Sequence, residues 1–203
     1  MNWNYISSTE SRKYENSIDN KDILVSKENN HIYFYNEVNR KTSLDLVQQI
    51  RSLNNNLTNM KHAYDINDVN IYIHINSFGG DVFSAISVID TILSSKIPVI
   101  TIIEGCAASA ATLISIVAKK RIITKNSYML IHELKSSFWG KMSEIEDEFS
   151  NLQNLTNLIK NLYKKHTSLS LTGKDGINNI LKHDLWWDAN KCLKLGLVDE
   201  ILE

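Results

Sequence analysis

Apolar residues fall along this chain in two periods, and the switch between them marks its elements. Val69, Ile71, Ile73 and Ile75 alternate with polar neighbours, which predicts a strand over 69–75. Val82, Ala85, Ile89 and Ile92 then recur at helical spacing after the turn NSFGGD. PVITII at 98–103 is a continuous apolar run of buried-strand length, and EGCAASAATLISIVA after it predicts a helix, with Gly105 turning the chain out of the strand. RIIT and SYMLI add two short strands, and HIYFY at 31–35 an earlier one. Ser43 is expected to cap a helix carrying Leu44, Val47, Ile50 and Leu53 on one face, with NLTNMKHAYDINDVN as a polar connection after it. Strand, helix, strand, helix, strand in this order predicts a layered α/β domain with parallel crossovers.

One segment stands apart. Ile145, Phe149, Leu152, Leu155, Ile159 and Leu162 recur every three or four residues, which predicts a long amphipathic helix from Ser143 to Lys165. Ser143 with Glu146 forms a candidate capping box. Asp147 and Glu148 near its start and Lys160, Lys164 and Lys165 near its end complement the macrodipole. Its apolar face packs either on its own domain or on another subunit, and the pattern leaves both open.

Composition removes whole classes of function. With 203 residues the chain is long enough for one well-cored domain. A net charge of −1 gives no electrostatic footprint for nucleic acid or an anionic membrane. The apolar runs are too short to span a bilayer. The N-terminal stretch lacks an apolar signal core and carries Glu10, Glu15 and Asp19, so a cytoplasmic location is expected, with an organellar or phage-encoded origin left open. Cys106 and Cys192 are far apart, and two reduced thiols are expected. No metal-ligand spacing is present, so no metal is proposed, and no P-loop is present, so the chain is not expected to hydrolyse ATP.

Three places carry candidate chemistry. Ser109 sits among alanines beside a predicted helix start, where unpaired N–H groups and the positive helix end favour an oxyanion. Small residues there serve close packing equally well, and GxSxG is absent. Gly79 and Gly80 follow a buried strand, where backbone N–H groups without Cβ crowding can approach a carbonyl; a tight strand-to-helix turn needs the same glycines. His132 closes a strand, where ligands gather in α/β proteins, and a serine nucleophile needs such a base.

Taken together and in order, these strings resemble the Clp protease proteolytic subunit (ClpP) family. INSFGGDV is similar to its INSPGG turn, EGCAASAATL to its GxAAS segment, and NSYMLIH to its NSxxMIH segment. The tail LKHDLWWDANKCLKLGLVDEIL resembles its ending. The resemblance covers about 31–203, and residues 1–30 are expected to be a divergent, flexible N-terminal segment without a counterpart. It implies a ClpP/crotonase-like layered fold of repeated β-β-α units with a protruding handle helix in a region of about 133–166. It implies Ser109 as nucleophile, His132 as base, Asp184 as the acid orienting the histidine, and the N–H groups of Gly80 and Ala110 as the oxyanion hole. Asp188 competes with Asp184 for the acid, but also suits the N-cap of a last helix starting at Ala189.

The implied activity is a serine endopeptidase, self-compartmentalised in two stacked seven-membered rings. No cofactor is implied in this chain, because ATP is used by a partner AAA+ unfoldase that feeds unfolded polypeptides. SSFWGK would be the strand closing the seam between rings. Alternatives are a phage-type capsid maturation protease and an inactive ring scaffold; an acyl-coenzyme A enzyme of the same fold is disfavoured by the intact Ser109, His132 and Asp184. The chain departs from the family at Phe78, which stands for a proline, at Leu134, likewise, and at the insertion LTGKDG before Asp184.

Overall fold

A computed structural model describes residues 25–66, 68–170, 173 and 176–203. Its described elements form one eight-stranded sheet with six helices. In chain order they are β1 (Ser26–Glu28), β2 (His31–Phe34), α1 (Arg40–Tyr64), β3 (Ile71–Ser77), α2 (Val82–Leu93), β4 (Val99–Ala108), α3 (Ala110–Ile116), β5 (Lys120–Thr124), β6 (Tyr128–Ile131), α4 (Met142–His166), α5 (Ile177–Ile180), β7 (Leu185–Asp188), α6 (Ala189–Lys194) and β8 (Glu200–Leu202). Strands β2, β3, β4, β5 and β8 are parallel neighbours; β1 adds to β2 antiparallel. This is the layered α/β fold with parallel crossovers that the apolar periods predict. The N-terminal boundary expected at residue 30 falls inside the β1–β2 pair, and residues 1–24 lie outside the described residues.

The core follows from the alternation. Ile71, Ile73 and Ile75 are fully buried on one face of β3, with Ile32 and Phe34 of β2 beside them. Leu46, Val47, Ile50, Leu53 and Leu57 of α1 and Ala85, Val88, Ile89 and Ile92 of α2 complete the same cluster. Asn54 joins these layers: its Oδ1 accepts from Ser95 Oγ at 3.0 Å, from Lys96 N at 2.8 Å and from Ile97 N at 3.1 Å, fixing the turn into β4.

Four local expectations need correction. The cap of α1 is Asn39, not Ser43. Asn39 Oδ1 accepts from the N–H groups of Lys41 and Thr42, and Thr42 Oγ1 accepts from Asn39 N–H, a capping box completed by a threonine. Ser43 is buried inside the helix and Leu44 is exposed, because the true stripe runs through Leu46 and Val47. The polar connection after it is mostly helix, since α1 continues to Tyr64 on the stripe Leu53–Leu57. The cap of α4 is set by Glu144, which accepts from Lys141 N–H at 2.8 Å, not by Ser143 with Glu146.

The fourth correction shapes the site. Gly105 does not end the strand. It sits at φ +83° within a bulge, where the β3 register jumps from Ile75↔Ile103 to Ser77↔Ala107. Beyond the bulge β4 continues to Ala108. Its first half pairs with β5 (Ile100 to Ile103) and its second with β6 (Cys106 to Ala108). One long strand thus changes neighbours and delivers residue 109 beside the end of β6.

Replacing Asn54 with alanine strips three donors of one acceptor. The expected cost is about 1–3 kcal/mol, read as a fall in melting temperature of roughly 2–10 °C; an unchanged transition would show that the turn holds without it.

Candidate active site

Ser109 occupies the single residue between β4 and α3, at φ 53° and ψ −124°. Few non-glycine residues adopt this region, and holding one there costs on the order of 1–3 kcal/mol. Its neighbours hold it on both sides. Ser109 N–H donates to Leu130 O at 2.9 Å, and Ser109 C=O accepts from Thr112 N at 3.0 Å and from Thr112 Oγ1 at 2.6 Å. Gly79 makes room: a Cβ there would lie 2.5 Å from Ala108 O and 2.7 Å from Ser109 Cβ. The backbone is a strained strand-to-helix elbow although GxSxG is absent, because the space that glycines in that motif provide comes here from Gly79, in the turn after β3. Ala110 and Ala111 are buried, so the small residues around the serine let α3 pack close.

Gly80 bridges to Val38. Val38 N–H donates to Gly79 O at 2.8 Å and Asp81 N–H to Val38 O at 2.7 Å. In parallel pairing those two bonds belong to the residues flanking Gly80, so Gly80 N–H faces away from Val38. Ala110 N–H, at the first turn of α3, has no intrahelical acceptor. Among the described residues neither N–H has a protein acceptor.

His132 follows β6, and Asp184 precedes β7. Pairing of Ile131 with Leu185 sets the two side by side, and pairing of Ala108 with Leu130 brings the end of β6, with His132 after it, to the cavity that Ser109 lines. His132 Nδ1 lies 3.4 Å from Asp184 Oδ1, an ion-pair distance that is not aligned as a hydrogen bond, and Nδ1 is buried with no hydrogen-bond partner among the described residues. Lys135 Nζ holds the other carboxylate oxygen, Asp184 Oδ2, at 2.8 Å. Burial pushes the His132 imidazole below its ordinary pKa; the Lys135 ammonium pushes the same way, and Asp184 opposes them. The hydrogen bond from Lys135 holds the Asp184 carboxyl below the usual range. At neutral pH the pair is therefore a neutral imidazole beside a carboxylate.

Asp188 is spent elsewhere. Its Oδ1 accepts from Lys191 N at 2.8 Å and caps α6, which starts at Ala189 as expected. It pairs with Tyr128, three positions before Ile131 along β6, which places it roughly 10 Å along the strand from the histidine end. The exposed His183 takes no side-chain part in the site.

Ser109, Gly80, Ala110, His132 and Lys135 line one cavity of about 290 Å³, floored by Leu113, Ile159 and Tyr163. Phe78 stands on its rim, 76% exposed, and meets Trp186 edge-to-face at 6.2 Å. A larger basic hollow beside Lys119 and Lys165, and another between α1 and α2, contain no serine–histidine pair. Cys192 is buried and its thiol is pushed up to about 12; Cys106 is also shifted up by burial, so neither supplies a thiolate. The sequence reading missed three members of this neighbourhood: Lys135, Thr112 and Tyr163. Tyr163 was legible as the position four after Ile159 on the stripe of α4; Lys135 and Thr112 carried no signal.

Comparison with known proteins agrees with this architecture. The family model described as "Clp protease" matches residues 13–203. The ATP-dependent Clp protease proteolytic subunit 2 of Treponema denticola is 31% identical over 202 residues, covering 98% of this chain and 94% of its own. The subunit 2 of Treponema pallidum is 34% identical over 135 residues, 66% of each chain. The proteolytic subunit of Deinococcus radiodurans is 27% identical over 135 residues, 66% of this chain and 65% of its own. A backbone elbow at Ser109, a histidine lining the same cavity and a family match over nearly the whole length lead to one conclusion: the chain belongs to the Clp protease family.

Proposed function

We propose that this protein is a serine endopeptidase working through Ser109, His132 and Asp184. The observation that carries the reading is the strained elbow at Ser109, opening into the same cavity as a neutral histidine. His132 takes the Ser109 proton as Oγ attacks a peptide carbonyl, and the oxyanion accepts from the N–H groups of Gly80 and Ala110. Each such donor contributes roughly 3–4 kcal/mol in a protease. His132 then protonates the leaving amine, and water, activated by the same imidazole, releases the acyl group. Asp184 fixes the tautomer with Nδ1 protonated and stabilises the imidazolium. In the single chain it is shared with Lys135, and the 3.4 Å separation shortens when the site is engaged.

The substrates are unfolded polypeptides, delivered by an AAA+ unfoldase that supplies the ATP chemistry; this chain uses no cofactor of its own. The names of the relatives support that division of labour. The assembly is two stacked seven-membered rings. Supporting it, Trp139 is 95% exposed, Phe149 62% and Ile145 43%, so the first half of α4 and the segment before it carry apolar surface with no cover in one chain. Among the described residues, 136–140 join no strand ladder and would suit addition to a partner's edge. The reading includes a cytoplasmic location; among the described residues no helix is long and apolar enough to cross a membrane.

Two outcomes test this. A fluorophosphonate probe is expected to label wild type in a particle of about fourteen subunits by light scattering, with labelling abolished in Ser109→Ala and His132→Ala; an assembled but unlabelled wild type overturns the enzyme. In hydrolysis of a fluorogenic peptide, kcat/KM falls on the acid side as His132 gains its proton. Because burial and Lys135 depress that pKa, the acid limb lies below pH 6.5. Lys135→Gln removes one depressing charge, so the limb moves to higher pH; a limb that stays put, or moves down, contradicts the assignment of His132 as base.

A further inference from the structure

The carbonyl of Ser109 is tied to α4 through two buried hydroxyls. Thr112 Oγ1 donates to Ser109 O at 2.6 Å, and Tyr163 OH is hydrogen-bonded to Thr112 Oγ1. Thr112 is fully buried and Tyr163 is 2% exposed. The directions follow from counting protons. A carbonyl only accepts, so the single Thr112 hydroxyl proton points at Ser109 O. The Tyr163 phenol must then donate to Thr112 Oγ1. Burial raises the phenol further above neutral pH, so the proton is always present. The bonds on Ser109 itself come from β6 and from its own helix turn; the hydroxyl that orients Thr112 comes from Tyr163, 51 residues further along the chain.

We propose that Tyr163 is a positioning residue for the nucleophile: its hydroxyl fixes the Thr112 proton on the Ser109 carbonyl and so holds the reactive serine in its strained conformation. This rests on the serine peptidase reading. A residue at φ 53° stays there only while its surroundings over-determine it. Leu130 holds the N–H side; the Thr112–Tyr163 chain holds the carbonyl side and fixes the peptide plane that carries the Ala110 N–H. Loss of the phenol leaves Thr112 free to turn and the Ala110 N–H less well aimed. The ring of Tyr163 also packs on the cavity floor, so Tyr163→Phe removes the hydroxyl and keeps the fill.

The test compares wild type, Tyr163→Phe, Thr112→Val and the double variant, each sized by light scattering. The readouts are the second-order rate of fluorophosphonate labelling, kcat and KM for a fluorogenic peptide, and amide exchange over 109–113. The expected result for Tyr163→Phe is labelling about tenfold slower, the equivalent of one lost hydrogen bond. kcat should fall in parallel, KM should stay within about twofold, and exchange over 109–113 should rise. Thr112→Val should match it, the double variant should lose no more than either, and Thr112→Ser should restore the rate. Wild-type labelling in assembled Tyr163→Phe, or losses that add in the double variant, overturns the proposal. If wild type takes no label, the peptidase reading fails. Exchange then decides the positioning claim: a rise confined to 109–113 in Tyr163→Phe supports it, and unchanged exchange overturns it.

Discussion

One residue held against its own preference organises this molecule. Ser109 sits at φ 53° because β4 must end there and α3 must begin there with no loop between them. That junction dictates what surrounds it. Gly79 cannot carry a side chain, since a Cβ would strike Ala108 O and Ser109 Cβ. Ala110 and Ala111 are small because α3 starts against the sheet. The bulge at Gly105 sets the length of β4 so that the serine emerges beside β6 rather than β5. The strain is small compared with the core packed beneath it, which is why it persists.

The second constraint is the division within α4. Its last turns bury Ile159 and Tyr163 against the domain, while its first turns expose Ile145 and Phe149. The apolar stripe runs along the whole helix, yet one chain covers it at one end. The sequence pattern left open whether it packs on its own domain or on another subunit, and the helix does the first over its second half, from Leu155 onward. The end that is covered touches the turn of Ser109 through Thr112. Charge is arranged as economically: Lys135 both depresses the His132 pKa and occupies Asp184, so one exposed ammonium acts on both side chains.

Much of this was legible in the sequence. Alternating Ile71, Ile73 and Ile75 announced β3, and four ordered strings pointed to the family. Asp188 was readable as a cap from its place before Ala189. The failures were local contests between signals. Gly105 read as a breaker, yet pairing on both sides of it outweighed its turn tendency and made a bulge. Ser43 read as a cap because serine favours that position, but Asn39 with Thr42 satisfied more donors and the helix began earlier. At α4 it is Glu144, not Ser143 with Glu146, that takes the Lys141 N–H, because the helix begins two residues before Glu144. The Thr112–Tyr163 link had no sequence signal as a pair, because a hydrogen bond between residues 51 apart follows only from tertiary packing.

The central claim is that the elbow at Ser109 presents its nucleophile to two backbone donors. The most direct measurement is a high-resolution structure of the assembled protein after reaction with a fluorophosphonate. The account predicts a phosphonyl group on Ser109 Oγ, with one oxygen within about 3 Å of both Gly80 N and Ala110 N, and His132 Nε2 turned toward the leaving side. An adduct on another residue, or an oxygen on Ser109 that meets neither N–H group, would contradict it.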